Sequence, residues 1–172
     1  MKLITIFLSL LVSFSAQAGQ HENATAASNV KVATQFMNTV LVEPEVAQSL
    51  LHDDFDFEFM GVSQLAGVVY DKTTYFSEWM VTVGQLIPGG FRKLDVVDAI
   101  GDDDGVALMV EGDADGINGR YANKYVFVFK FSGGQIVSLR EYTSDLLVET
   151  RLYKKRLWLT NKTAFAFSWR FA

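Results

Sequence analysis

The chain has 172 residues, no cysteine, two histidines and a formal net charge of −5. Without cysteine there is no disulfide framework, no thiolate nucleophile, no cysteine-ligated zinc and no cysteine lipid anchor. His21 and His52 alone cannot furnish a triad or metal centre that needs several histidines, and the acidic balance argues against nucleic acid as a partner.

Met1-Lys2 is a short basic start, Leu3 to Phe14 is an apolar run, and Ala16-Gln17-Ala18 is a small-residue cleavage site. Residues 1–18 therefore read as a signal peptide, and the expected location is periplasmic or secreted. The run is shorter than the roughly 18–20 apolar residues of an uncleaved anchor. Residues 19–27 are small and polar, a flexible lead-in. Ser28 is a candidate N-cap for a helix with Val30, Ala33, Phe36, Met37, Val40 and Leu41 on one face. Pro44 suits the first turn of a second helix, to about Leu51, with His52-Asp53-Asp54 as its break. Phe55, Phe57 and Phe59 alternate with polar neighbours, a strand. Gly61 to Gly67 is a loop. Asp71 can cap a third helix with the stripe Tyr75, Phe76, Trp79, Met80, Val83 and Leu86, ended by Pro88-Gly89-Gly90.

Four strands follow, at about Phe91–Ile100, Val106–Asp113, Arg120–Phe131 and Gln135–Thr143, joined by Gly, Asp, Asn and Ser turns. Helices first and a meander after predict an α+β domain over 28–150, with about three N-terminal helices packed on a curved antiparallel sheet. Asp113 to Lys124 fails as a calcium loop. Ile117, Asn118 and Lys124 stand where an oxygen ligand, a glycine and a glutamate are required. No metal or cofactor is expected.

Charge divides the chain. Gly19 to Thr150 holds 8 basic and 20 acidic residues, a net of −12, whereas the tail 151–172 holds 6 basic and no acidic residues, a net of +6. The tail is expected to lie on the acidic body, with a membrane surface as the alternative. Phe165, Phe167, Trp169 and Phe171 alternate with small or polar residues, an aromatic strand for a sheet edge or a second subunit.

The segment Asn123, Tyr125-Val126-Phe127-Val128-Phe129, Gly134, Ile136-Val137, Leu139-Arg140-Glu141-Tyr142 resembles SnoaL-like and ketosteroid-isomerase-like domains of the nuclear-transport-factor-2-like (NTF2-like) superfamily. The resemblance covers roughly Val30 to Thr150. It implies a conical fold with a pocket between the helices and the concave sheet. Glu58, Gly61 and Gly67 match the spacing of the isomerase base and its following glycines, so the resemblance makes Glu58 a candidate base. The isomerases' second acid falls near Phe127, which cannot donate. Arg140-Glu141-Tyr142 is similar to the Arg-Asp-Tyr of epoxide-hydrolase-like members, although their Arg-x-Asp partner is replaced by Met109-Val110-Glu111. Ser144 replaces the aspartate with which many SnoaL-like domains end.

Glu58, Glu111 and Glu141 are thus the candidate pocket carboxylates, with Glu141 and Glu58 as the catalytic pair. Apolar walls would raise their pKa and make one a usable base near neutral pH. Tyr125 and Trp79 could position a substrate oxygen, and Phe127, Leu139 and Phe76 would supply an apolar wall for a small lipophilic molecule. A solvated strand face gives the same pattern, so an isomerase- or hydrolase-like enzyme and a non-catalytic binding module both remain open. Val126 and Val128 make the opposite face of their strand apolar too, which suggests a homodimer through the sheet.

Overall fold

The computed structural model describes residues 24–156. The expected signal peptide, most of the expected lead-in and the strand expected at Phe165 to Phe171 lie outside the described residues.

Helix α1 occupies residues 24–39 and buries Ala33, Phe36 and Met37 on one face. Ser28 is therefore an interior residue and not the cap: the alanine-rich 24–27 already supports helix. Helix α2 (Pro44–Ser49) begins on Pro44 as expected. Strand β1 (Leu51–Met60) starts earlier than the alternation suggests. Leu51 pairs with Ile136, the register then slips, and pairing resumes at Asp56 with Ser138. His52-Asp53-Asp54 occupies that irregular stretch and does not break the chain out of the sheet. The Lys72 ammonium secures it, donating to the Leu51 carbonyl at 2.8 Å.

Strand β2 (Val69–Asp71) is too short to show alternation in the sequence. Asp71 then caps the next helix as predicted. Its carboxylate accepts from Thr74 N–H at 2.8 Å, and Thr74 Oγ1 accepts from Asp71 N–H at 2.9 Å, a reciprocal capping box. The helix runs through α3 (Lys72–Thr74), a π-helical turn (Tyr75–Trp79) and α4 (Met80–Leu86). In that turn Met80 N–H reaches the Tyr75 carbonyl five residues back. The extra residue rotates the stripe: Tyr75 and Trp79 are buried, while Phe76 turns to the margin.

Strands β3 (Phe91–Gly101), β4 (Val106–Gly116), β5 (Gly119–Ser132) and β6 (Gln135–Tyr142) form the expected meander. The six-stranded order is β2-β1-β6-β5-β4-β3, which brings the end of the meander back beside β1. The β1–β6 pair is parallel and the others are antiparallel, so the sheet is mixed at one pair. Two short segments, α5 (Asp145–Leu147) and a π-helical turn (Val148–Leu152), follow the sheet.

Alternation decides which side chains meet the helices. Val106, Leu108 and Val110 of β4 and Tyr121, Asn123, Tyr125, Phe127 and Phe129 of β5 are buried on the helix side. On β6 the parity shifts by one. A register irregularity at Lys130/Phe131 buries Ile136 where simple alternation with Leu139 predicts Val137. The core is strongly aromatic. Phe57 is fully buried and lies 5.0 Å from Tyr75 and 4.8 Å from Trp79, ring centre to ring centre.

Candidate functional site

A cavity of about 70 Å³ lies between the helix side of β5–β6 and the helices. Phe36, Met37 and Val40 come from α1 and the following turn, and Tyr75 and Trp79 from the π-helical turn. Tyr121, Tyr125 and Phe127 of β5 and Leu139 and Glu141 of β6 complete the sheet wall.

Glu141 stands opposite Phe127 on β5 and Phe59 on β1. It is only 9 % exposed and has no hydrogen-bond or ion-pair partner among the described residues. Removal from water disfavours the charged form and pushes its carboxyl up to about 8. Three tyrosines share its surroundings. Burial raises Tyr75, Tyr121 and Tyr125 above the ordinary phenol range, and the Glu141 charge adds to the effect in each. Tyr121 Oη accepts from Asn123 Nδ2 at 3.0 Å, a fully buried pair. The Tyr125 hydroxyl is buried and leans on the Tyr121 hydroxyl as a weak hydrogen-bond donor, a contact short of standard geometry. Its proton is shared loosely with Tyr121, so Tyr125 can turn to donate to a ligand oxygen or a water that offers better geometry.

The Tyr125 ring needs a glycine across the sheet. A Cβ on Gly112 of β4 would sit 2.9 Å from Tyr125 Cε2 and 3.2 Å from Phe91 Cε1. Gly112→Ala is expected to cost about 1–3 kcal/mol through overpacking and to tilt Tyr125. Urea denaturation measures the first, and near-ultraviolet circular dichroism the second.

Five predicted residues therefore meet in one cavity: Glu141, Tyr125, Phe127, Trp79 and Leu139. Three do not. Glu58 lies on the opposite face of the sheet, because β1 turns Phe55, Phe57 and Phe59 inward. Its carboxylate is 3.6 Å from Arg140 Nε, and the same guanidinium grips Asp56 with two bonds of 2.8 Å. That pairing holds Asp56 below the usual carboxylate range. Glu111 is also on the outer face, because its neighbours Val110 and Gly112 pack inward. It pairs with Lys124 at 2.9 Å and Lys93 at 3.1 Å, and both lower its pKa. Phe76 packs edge-on against Tyr75 at 5.1 Å, beside the cavity and not on it.

Tyr121 and Tyr75 were within reach of the sequence. Tyr121 continues the parity of Tyr125 and Phe127, and Tyr75 opens the third helix's stripe. Leu65 and Leu152 were not, because loop and tail side chains have no period to betray them. Leu65 reaches the cavity on the loop after β1. That loop is held by the C-terminal segment. Asp145 Oδ2 accepts from Val62 N–H at 2.9 Å, and Glu149 Oε1 accepts from Gln64 N–H at 2.8 Å. Glu149 pairs in turn with Lys155. Gly61 permits the close approach: at φ +142 a Cβ would lie 2.6 Å from the Asp145 oxygens. Among the described residues no group of three or more His, Asp or Glu converges as metal ligands.

No protein-family model matches the chain, and no curated protein matches it in sequence. Solved structures do share its fold. Bal32a, from a soil-derived mobile gene cassette, has a TM-score of 0.66 at 17 % identity, covering 74 % of this chain and 98 % of its own. A protein of Jannaschia sp. CCS1 assigned to the SnoaL-like polyketide cyclases has a TM-score of 0.63 at 12 % identity, over 76 % of this chain and 95 % of its own. An NTF2-like protein of Anabaena variabilis has a TM-score of 0.58 at 20 % identity, over 68 % and 90 %. The chain therefore has the NTF2-like, SnoaL-like fold expected from its Tyr125–Tyr142 segment.

Proposed function

We propose that this NTF2-like domain binds a small lipophilic molecule in the Glu141 cavity. Glu141 is its acid–base group for isomerase-, hydratase- or hydrolase-type chemistry that needs no cofactor. One observation carries the reading: a carboxyl group nine-tenths buried, without a partner among the described residues, opens onto an apolar cavity. With its pKa near 8, it can hold a proton at pH 7 and exchange it without a large penalty in either direction. Tyr125 is the positioning donor beside it. Glu58 has no part in this site, since it sits across the sheet in an ion pair with Arg140.

A binding module without chemistry is the second reading, favoured by the absence of another carboxylate among the described cavity residues. A thermal-shift screen of uncharged lipophiles on the purified protein tests both. A ligand at 100 times its Kd is expected to stabilise the protein by about 2.7 kcal/mol. If no lipophile raises Tm, the pocket reading fails. If a ligand binds but is turned over neither by the wild type nor at any pH between 6 and 9, the binding module stands and catalysis falls.

We further propose export by the 1–18 signal segment and a homodimer through the outer face of the sheet. Val97, Val126 and Tyr142 are exposed there and Met109 is half-buried, ringed by Lys93, Lys124 and Glu111 on one side and Arg140 and Glu58 on the other. Val126→Glu is expected to halve the mass seen by light scattering; a wild type that is already monomeric removes the dimer.

A further inference from the structure

The chemistry of the cavity wall points to a narrower class of ligand. Twenty of the described residues line it, and none of them is Lys, Arg or His, so none supplies a cation to receive an anionic headgroup. Eight of the twenty are aromatic, and ring faces attract positive charge. The one carboxylate among those twenty, Glu141, has no counter-ion among the described residues. The groups around it are neutral on every side: Tyr75 on the helix, Tyr121 and Tyr125 on β5, Phe59 on β1, and Phe36, Met37 and Val40 on and just after α1. Arg140, its neighbour in sequence, faces the other side of the sheet and is committed to Asp56.

Resting on the reading that this cavity binds a lipophile, we infer that its preferred ligands are lipophilic amines, with the ammonium on Glu141 against the aromatic wall and the hydrocarbon body in the apolar remainder. The ammonium supplies the counter-ion that the fold withholds. A buried carboxylate is unfavourable alone but favourable when paired and hydrogen-bonded. A fatty acid of the same length would bring a second carboxylate to a site with no cation, and a fatty alcohol would gain no ion pair. Because burial holds the Glu141 proton up to a pKa of about 8, amine binding at pH 7 must expel that proton, so affinity rises with pH.

Butylamine, 1-butanol and butyrate share one hydrocarbon chain, short enough for the cavity, and differ in headgroup charge. Titration calorimetry on the purified protein at pH 6, 7 and 8 separates them. At pH 8 butylamine is expected to bind at least about tenfold more tightly than 1-butanol, and butyrate more weakly than either. From pH 8 to pH 6 the butylamine affinity is expected to fall at least about tenfold, while that of 1-butanol stays level. Glu141→Gln is expected to erase the amine preference and its pH dependence and to keep 1-butanol binding. The wild-type pH series is an independent readout should that variant misfold. Butylamine no tighter than 1-butanol, or an amine preference that survives in Glu141→Gln, overturns the inference and leaves the pocket reading intact. Failure of all three to bind overturns both.

Discussion

Between pH 6 and pH 8 the protein is expected to lose about 2 kcal/mol of folding stability through Glu141 alone, and Glu141→Gln is expected to abolish that loss. The sign follows from the shift. The folded-state pKa is raised to about 8 from the ordinary glutamate value of 4.5. In that interval the folded state holds a proton that the unfolded state has released. Stability is therefore complete below about 4.5, falls as pH rises towards 8, and levels off above it. Urea denaturation of wild type and variant at the two pH values isolates the carboxyl, because all other titrating groups are common to both. Parallel losses in the two proteins would mean that Glu141 is solvated and is no acid–base group. A site that costs stability at working pH is what a functional carboxyl, as opposed to a packing residue, should show.

The second large effect concerns the scaffold that shapes the cavity. Phe57→Ala is expected to destabilise the protein by about 3–5 kcal/mol, the range for truncating a buried aromatic ring. Phe57 is fully buried on β1 and its ring meets Tyr70, Tyr75 and Trp79, with centres 4.8 to 6.1 Å away. Two of those three, Tyr75 and Trp79, line the cavity. The variant should thus lose ligand binding along with stability. Phe76→Ala, on the margin of the same helix, is expected to lose far less of either. Chemical denaturation of the two variants side by side distinguishes a shared aromatic scaffold from scattered packing; equal losses would contradict it.

The meander and its inward face were legible because a period of two leaves a plain trace in Tyr121, Tyr125, Phe127 and Phe129. So was the helix cap at Asp71, which depends only on local spacing. The site was half legible. Glu141 could be placed because its strand runs beside the β5 face. Glu58 was misplaced because its candidacy came from motif spacing, whereas the parity of Phe55, Phe57 and Phe59 already assigned it to the other side. The same parity in β4 sends Glu111 outward. Phe76 failed for a different reason. An α-helical stripe places it beside Tyr75, and the π-helical turn that rotates it away is a tertiary accommodation without a local sequence signal. The short β2 and the β1–β6 pairing also depend on contacts far apart in the chain.

That parallel pairing bears on how the molecule is assembled in time. Leu51 meets Ile136 and Met60 meets Tyr142, so β1 waits for almost the whole domain before its long partner exists. Until then only the three-residue β2 can cover one of its edges. Loop closure over such a span is slow relative to hairpin formation, so the β3–β6 meander is positioned to nucleate and β1 to dock late. A nascent chain would meanwhile present the row Phe55, Phe57 and Phe59 on an unpaired edge, a natural handle for a holding chaperone.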